Sequence, residues 1–456
     1  MSSKSMFIMC AGVLFVGVAV LWSGNHAWAY DAPAANGDLQ PVPSQSVPAA
    51  ENNGTPARQF SYFGDTANDE YGECDECEGV DFCGFACCCP PGKFWLRADY
   101  LMWWTNGMRL PPLVTTSPPG TPLEQAGVLP NATVLFGDST VGAGGRSGYR
   151  FSWGMWLDNC CTWGIEGDYF ALGQGSGNYD QFSATTILAR PLYDVQAIGQ
   201  GRQLVTYPGV VEGSIRVNAK DYFQSTGVAL SYNLCCCDDC CDSDPCGDSC
   251  LPLMFCCRTD LLIGYRYYKY NDSVAIRENL RVTEEGPTQN WLFQVDDNFR
   301  ARNDFHGSEF GLRTKLYRGR WSLDILTKIA LGNTRQTVTI DGQTIVTPTD
   351  QPTQIRDGGV FAVRSNEGTY TRDSFTMIPQ LGIDLGYQVN QNWRAYIGYN
   401  LLYWACVVHA GEQIDLNVDP RNIPIAQDPA LPFPAFSGKT SSFWAHGLNL
   451  GLEYRF

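Results

Sequence analysis

The last fourteen residues, Phe443 to Phe456, constrain this chain more tightly than any other segment. Counting back from the terminus, Phe456, Tyr454, Leu452, Leu450, Leu448 and Trp444 take every second position, and His446 is the exception in the row. Between them stand Gly447, Asn449, Gly451, Glu453 and Arg455, all small or polar. A period of two places the two sets on opposite faces of a strand. A row this apolar, with aromatics near its ends, suits lipid better than water. It predicts a strand of a transmembrane β-barrel.

The opposite end of the chain agrees. Lys4 gives a positive start, Met6 to Trp22 an apolar stretch, and Ala27-Trp28-Ala29 a small-x-small cleavage site before Tyr30. That pattern predicts a signal peptide over 1–29. A lipidated Cys10 is disfavoured because Met9 is not the small residue such a site needs. No later run approaches the roughly 18 apolar residues of a membrane-spanning helix. Hydrophobic residues make up 44% of the chain and mean hydropathy is −0.19, as expected if half of each strand faces a polar interior. Losing Lys4 with the signal peptide takes the net charge from −16 to −17, so nucleic acid is excluded as a partner. Lipid of the outer membrane is the expected surrounding. The closing strand also resembles that of bacterial outer-membrane proteins. The resemblance implies that Tyr454 and Phe456 are an assembly signal read by the barrel-assembly machinery.

Residues 30–92 divide into a tail poor in apolar side chains, expected to be disordered, and a cysteine-rich segment. From 93 to 456 the alternation repeats. Phe94 to Trp104, Tyr149 to Leu157, Trp163 to Ala171, Ser214 to Leu234, Leu261 to Tyr267, Phe310 to Leu316, Trp321 to Leu331, Met377 to Tyr387 and Trp393 to Tyr403 precede the terminal strand. The phase of the fourth changes near Tyr222 to Ser225, which predicts a bulge. Short connections (Asp158 to Thr162, Arg318 to Arg320, Val389 to Asn392) alternate with long ones (105–145, 173–213, 271–305, 341–372, 405–440). This is the pattern of periplasmic turns and extracellular loops, apart from a cysteine-rich periplasmic insertion at 235–257. The fold expected is all-β, an antiparallel up-and-down transmembrane barrel of about ten strands. Twelve is the alternative, if Val274 to Val282 pairs with Trp291 to Phe299, or if Thr337 to Val346 turns at Asp341-Gly342. A soluble sandwich explains the alternation but not the apolar outer rows or the alternating loop lengths.

Parity assigns the strand charges to the lumen: Arg97, Asp99, Arg150, Glu166, Asp168, Arg216, Arg266, Glu309, Arg313, Asp324, Lys328, Asp384, Arg394, Glu453 and Arg455. Lys220, Lys315, Asp158 and Asp260 complete the set. Ten basic members against nine acidic ones suggest a salt-bridged interior rather than a selective pore, because unpaired charges in a narrow lumen are costly. Ten to twelve strands allow at most a narrow channel, since about eight strands are just filled by side chains.

Eighteen of the 19 cysteines lie beyond the signal peptide. Seventeen form three clusters: Cys74, Cys77, Cys83, Cys87, Cys88 and Cys89; Cys160 and Cys161; and Cys235, Cys236, Cys237, Cys240, Cys241, Cys246, Cys250, Cys256 and Cys257. All three flank the predicted periplasmic strand ends, which predicts a disulfide-stapled cap in an oxidising compartment. Metal binding through Cys74-x-x-Cys77 and Cys237-x-x-Cys240 is the sharper alternative. It lacks a nearby histidine, and no metal or other cofactor is expected. Cross-linking to an envelope partner is a further possibility. Asp304-x-His306, and His409 near Glu412, offer acid–base chemistry, but no nucleophile motif accompanies them and an enzyme is not expected.

Several segments resemble the beta-barrel porin-7 family, outer-membrane proteins of planctomycete-type bacteria. They are Phe94-Trp95-Leu96-Arg97-Ala98-Asp99-Tyr100-Leu101, Gly164-Ile165-Glu166-Gly167-Asp168-Tyr169-Phe170 and Leu262-Ile263-Gly264-Tyr265-Arg266-Tyr267. Asn303-Asp304-Phe305-His306-Gly307-Ser308-Glu309-Phe310-Gly311-Leu312 is the most specific, followed by Ile378-Pro379-Gln380-Leu381 and Tyr396-Ile397-Gly398-Tyr399-Asn400. The resemblance implies a narrow outer-membrane porin for small solutes and supplies no catalytic residues. A structural envelope protein cross-linked through periplasmic cysteines is the alternative, and a surface enzyme of the small-barrel type is third.

Overall fold

A computed structural model describes residues 92–159, 161–236, 256–424 and 431–456. The predicted signal peptide, the tail with its first cysteine cluster, Cys160 and most of the 235–257 insertion lie outside these residues.

Ten strands build the wall: β1 (Phe94–Thr105), β2 (Gly144–Trp156), β3 (Trp163–Leu172), β4 (Val211–Cys236), β5 (Cys256–Val282), β6 (Leu292–Arg318), β7 (Trp321–Thr347), β8 (Gly368–Gln388), β9 (Trp393–Val407) and β10 (Ser441–Arg455). Each pairs antiparallel with the next. β10 then closes on β1 from Trp95↔Arg455 to Thr105↔Ala445. Closure removes the free edges that lipid cannot satisfy. The terminus and the short turns share one end, the lower rim. There Gly319 adopts φ +57° in a two-residue turn between β6 and β7, a conformation such hairpins require.

Lipid-facing rows carry the side chains that alternation assigned to them. Leu96, Tyr100 and Met102 on β1, Leu230 on β4, Ile263 on β5, Ile383 on β8, Ile397 on β9 and Leu450 on β10 all point outward and are exposed. Aromatic pairs mark the lower boundary: Trp163–Tyr232, Trp321–Tyr387 and Trp393–Tyr454, with ring centroids 4.6, 5.0 and 4.8 Å apart. At the upper boundary the Tyr265 hydroxyl lies 2.5 Å from His306 Nδ1, and the Tyr399 hydroxyl 2.5 Å from His446 Nδ1. Two such girdles around an apolar belt match the two interfaces of a bilayer.

β4 to β7 run well beyond the belt, and their polarity inverts as they leave it. Within the belt the inward row of β5 is polar (Arg258, Asp260, Arg266) and the outward row apolar (Leu261, Ile263, Tyr265). Above it the inward row becomes Val274 and Ile276, both buried, while Arg277, Asn279 and Arg281 face outward and are exposed. The faces never change; only their surroundings do. The bulge predicted near Tyr222 to Ser225 is therefore absent: β4 pairs with β5 without a shift from Val211 to Asn233, and the first irregularity lies between Asn233 and Cys235. The apolar row changes sides there because lipid gives way to water outside, while the interior above the belt becomes a dry core.

That core belongs to a β-sandwich above the barrel. The extended wall supplies Ile215, Val217, Val274, Ile276, Phe299 and Ile340. A second sheet, built from Val114–Thr116, Thr133–Phe136, Leu188–Asp194, Gly199–Thr206 and Asn417–Val418, lies across them. Two extra strands join the wall itself: Gly175–Ser183 pairs with β4, and Gln354–Asp357 with β7. Neither is among the extra strands proposed from sequence. Val274 to Val282 does pair with Leu292 to Phe299, but as the continuation of β5 and β6. Asp341-Gly342 is straight strand within β7, not a turn. Much of the predicted loops 173–213, 271–305 and 341–372 is thus strand.

Candidate functional site

The inward face of the belt holds the chemistry. Four strands contribute to one network: Arg150 Nε donates to Asp99 Oδ2 at 2.6 Å, and Arg97 Nη2 to Asp384 Oδ2 at 2.6 Å. The Tyr396 hydroxyl bridges Asp99 and Arg97. Across the lumen, Arg266 holds two carboxylates at once: Asp168 at 2.7 and 2.8 Å, Glu309 at 2.7 and 2.9 Å. Lys328 Nζ adds a third cationic contact on Glu309 at 2.9 Å. Arg313 pairs with Glu166. Nearer the lower rim, Arg394 and Arg455 share Glu453, at 3.3 and 2.7 Å, while Lys315 and Arg313 both stand 3.9 Å from Asp324. Fork-shaped guanidinium–carboxylate pairs satisfy charges that would be prohibitive if left alone.

Of the nineteen residues named above as lumen-facing charges, sixteen lie inside, on inward rows; Asp158 instead caps the turn after β2, accepting the N–H groups of Thr162 and Trp163 at 3.1 and 3.0 Å. Arg216 is not inside either. It sits on the outward face of β4 above the belt, exposed and paired with Asp180 at 2.6 Å; Lys220 is likewise outward and exposed. The assumed phase change near Tyr222 had put both on the wrong side.

Between the networks lies a cavity of about 50 Å3, touched by Arg97, Asp168, Arg266, Arg313, Lys328 and Asp384. It has room for a few waters. Basic and acidic groups interleave around it, so no ring of one sign forms.

Above the charges the lumen is filled with aromatic and aliphatic side chains. Nine of the ten strands send one inward: Trp103, Phe170, Phe223, Tyr268, Phe305, Ala330, Ile378, Trp404 and Phe443. Each is at most 2% exposed, so water does not reach this level of the barrel. Phe223 stands at the centre, 5.3 Å from Phe170, 4.8 Å from Phe443 and 6.1 Å from Tyr268, ring centroid to centroid. The sequence reading followed inward charges and missed this layer. Its signal was there: the same inward rows turn bulky and aromatic toward their upper ends.

Over the layer, the chain after β9 is drawn into the mouth. Buried Asn303 on β6 accepts the Val408 N–H at 2.9 Å and donates to the Val408 carbonyl at 2.9 Å. Asp272 on β5 meets His409 Nδ1 at 2.7 Å and accepts the Ala410 N–H at 2.8 Å. Burial opposes the charged imidazole of His409, but the hydrogen bond and charge of Asp272 outweigh it and raise the group above its usual value. Deeper in the sandwich, Arg190 joins Glu278 at 2.9 Å and Asp297 at 2.7 Å, all three inaccessible to water. Asp297 Oδ1 also accepts the N–H groups of Val360, Phe361 and Ala362 at 3.0, 3.0 and 2.7 Å.

The candidate acid–base groups go elsewhere. His306 and Asp304 lie on the outward face, His306 with Tyr265 and Asp304 with Arg302 and Tyr267; His409 pairs with Asp272 rather than Glu412. Of the candidate disulfide cysteines whose side chains are described, Cys161 is buried in the lower turn after β2, where Arg258 Nη2 donates to its carbonyl at 2.7 Å, and Cys257 is half-buried near the base of β5. Cys74, Cys77, Cys83, Cys87, Cys88, Cys89, Cys160, Cys237, Cys240, Cys241, Cys246 and Cys250 lie outside the described residues, as do the side chains of Cys235, Cys236 and Cys256. Among the described residues no cluster with metal-ligand geometry occurs.

The family model described as "Putative beta barrel porin-7 (BBP7)" matches residues 95–456. The chain belongs to this family. No curated protein matches the porin-7 chain. Solved structures similar to it include the outer membrane protease OmpT of Escherichia coli, at 9% identity and TM-score 0.35, covering 83% of this chain and 99% of that one. Others are the toluene transporter TodX of P. putida (8%, TM-score 0.17, 80% and 90%) and the anion-selective porin of Comamonas acidovorans (7%, TM-score 0.12, 80% and 98%). The expectation that this porin-7 chain is not an enzyme is withdrawn, because an outer-membrane protease stands among these structures. At such scores the likeness assigns no activity in its place.

Proposed function

We propose that this porin-7 protein is a closed outer-membrane barrel with a structural role in the envelope, carrying a β-sandwich on its upper side. The observation that carries the reading is the aromatic layer, with nine strands contributing side chains that water does not reach. A diffusion pore keeps its lining wet, and ten strands leave little width beyond their own side chains. On the sequence-derived topology the lower rim is periplasmic, and the cysteine clusters flank it. A disulfide cap there, or a cross-link to another envelope component, suits a structural role. Planar-bilayer conductance of the purified protein is the test. Conductance at background is expected; stable single-channel steps from the unmodified protein would overturn the closed reading.

The narrow-porin reading is supported by the charged lower lumen and its cavity, which resemble a vestibule. It requires the aromatic layer to move. Substituting Phe223→Ala together with Trp404→Ala distinguishes the two: conductance in the variant alone supports a closed barrel, and equal conductance in both supports a pore that opens natively.

A further inference from the structure

The outward face of β4 to β7, just beyond the apolar belt, has a character at odds with the rest of the chain. The whole protein carries a net charge of −16. Yet each of these four neighbouring strands places a cation within the first few outward positions above its last apolar or aromatic one. β4 has Lys220 after Tyr222, β5 has Lys269 after Tyr267, β6 has Arg302 and Arg300 beyond His306, and β7 has Arg335 beyond Leu331. The pairing register makes this a band: Lys269 stands beside Asp304, and Asp304 beside Arg335, while Arg302 lies one outward position further along β6. Neighbouring strands are about 4.8 Å apart, so Lys269 and Arg335 bracket a gap of about 10 Å.

Carboxylates in the band are already engaged. Asp304 is held by Arg302 and by the Tyr267 hydroxyl, Asp341 by Arg300, and Asp373 accepts the Asn333 amide at 2.9 Å. Lys220, Lys269 and Arg335 have no ion-pair partner among the described residues, and Lys220 and Arg335 are exposed. Among the described residues the opposite wall has nothing comparable. Beyond their belts β1, β2, β9 and β10 carry Trp104, Ser147, Ala405 and Ser442 on the outward row.

We propose that this band binds the anionic headgroups of lipids in the leaflet at the upper boundary, on one side of the barrel only. Position and charge together select that occupant. The band begins where the lipid-facing belt ends, within the few ångströms that a headgroup layer spans. Asn271, Ser273 and Thr337, on the same outward face, add neutral donors between the cations. A basic row at that depth attracts anionic lipid, and each cation is worth about fivefold in affinity at a charged membrane surface.

The test uses the full chain folded in detergent and offered equal amounts of phosphatidylglycerol and phosphatidylcholine with matched acyl chains. Native mass spectrometry counts the lipids retained. Preferential retention of phosphatidylglycerol is expected, weakening as salt rises. In the variant Lys220→Gln, Lys269→Gln, Arg302→Gln, Arg335→Gln the preference should fall at least about tenfold. A control variant, Arg216→Gln with Arg281→Gln, removes two cations farther up the same outward face, each paired with a carboxylate, and should keep it. Heat-modified gel mobility establishes that each variant is folded. An unfolded quadruple variant shifts the test to single Lys269→Gln and Arg335→Gln substitutions, each expected to weaken the preference about two- to fivefold. No preference in the wild type, an unchanged preference in the variants, or an equal loss in the control overturns the proposal. Retention of inorganic phosphate without preference for phosphatidylglycerol also overturns it, since a free anion would then suffice.

Discussion

Asn303 illustrates how single polar residues organise the mouth of this barrel. Its amide satisfies both backbone groups of Val408, at a point where neither can reach water. Asn303→Ala leaves both unpaired and should cost about 1–3 kcal/mol, seen as earlier unfolding on heating and faster proteolysis of 411–424. His409 gives the same segment a pH dependence. Its value is raised in the folded state by Asp272, so the stabilisation is complete below the unfolded value of about 6.5 and is lost as pH rises through the folded one. Proteolysis of this segment should therefore accelerate as pH rises above about 6.5, and His409→Gln should remove most of that dependence. Residue roles were partly legible in the sequence. Parity gave the faces of Arg97, Arg266, Arg313 and Arg394, because lipid on one side forces every charge to the other. Nothing local revealed that His409 meets Asp272, 137 positions away, or that Asp304 faces outward to Arg302 and Tyr267.

At the scale of a strand, the inversion of polarity along β4 to β7 explains both what alternation predicted and what it misread. The belt segments were legible because lipid imposes one rule on the outward row. Above the belt the rule reverses, and a reader assuming one environment sees a phase change, as happened near Tyr222 on β4. On β5 and β6 the reversal broke the apolar row, so 271–305 read as a long connection in which Val274 to Val282 and Trp291 to Phe299 were at most a separate hairpin rather than the continuation of both strands. The two halves should respond oppositely to the same kind of substitution. Leu230→Arg, outward in the belt, should cost about 2–4 kcal/mol and lower folding yield into vesicles. Ile215→Asp, inward above the belt, should leave insertion intact and destabilise the sandwich, because it buries an unpaired carboxylate in a dry core. Separate denaturant transitions for barrel and sandwich would be the readout. Arg216→Ile, one position along and outward in water, should change neither measurably.

For the molecule as a whole, closure and strand number followed from the ten belt segments and the alternation of short and long connections. The sandwich did not, since its second sheet comes from short strands within 114–206 whose pairing depends on sequence-distant contacts. Filling of the lumen belongs to this scale as well: Trp404 touches partners from several strands, and Trp404→Ala should cost about 3–5 kcal/mol in unfolding experiments. The inverted strands carry one more consequence. A wall that is apolar outside below a sharp line and polar outside above it has a waterline. Sinking by one residue pair would drown Lys269 and Arg335 in hydrocarbon, and rising by one would strand Tyr267 and His306 in solvent. A rigid, closed wall cannot tilt one side independently to escape either penalty. The protein therefore floats at a fixed draught, and when bilayer thickness does not match it, the surrounding lipid has to stretch or compress to meet it.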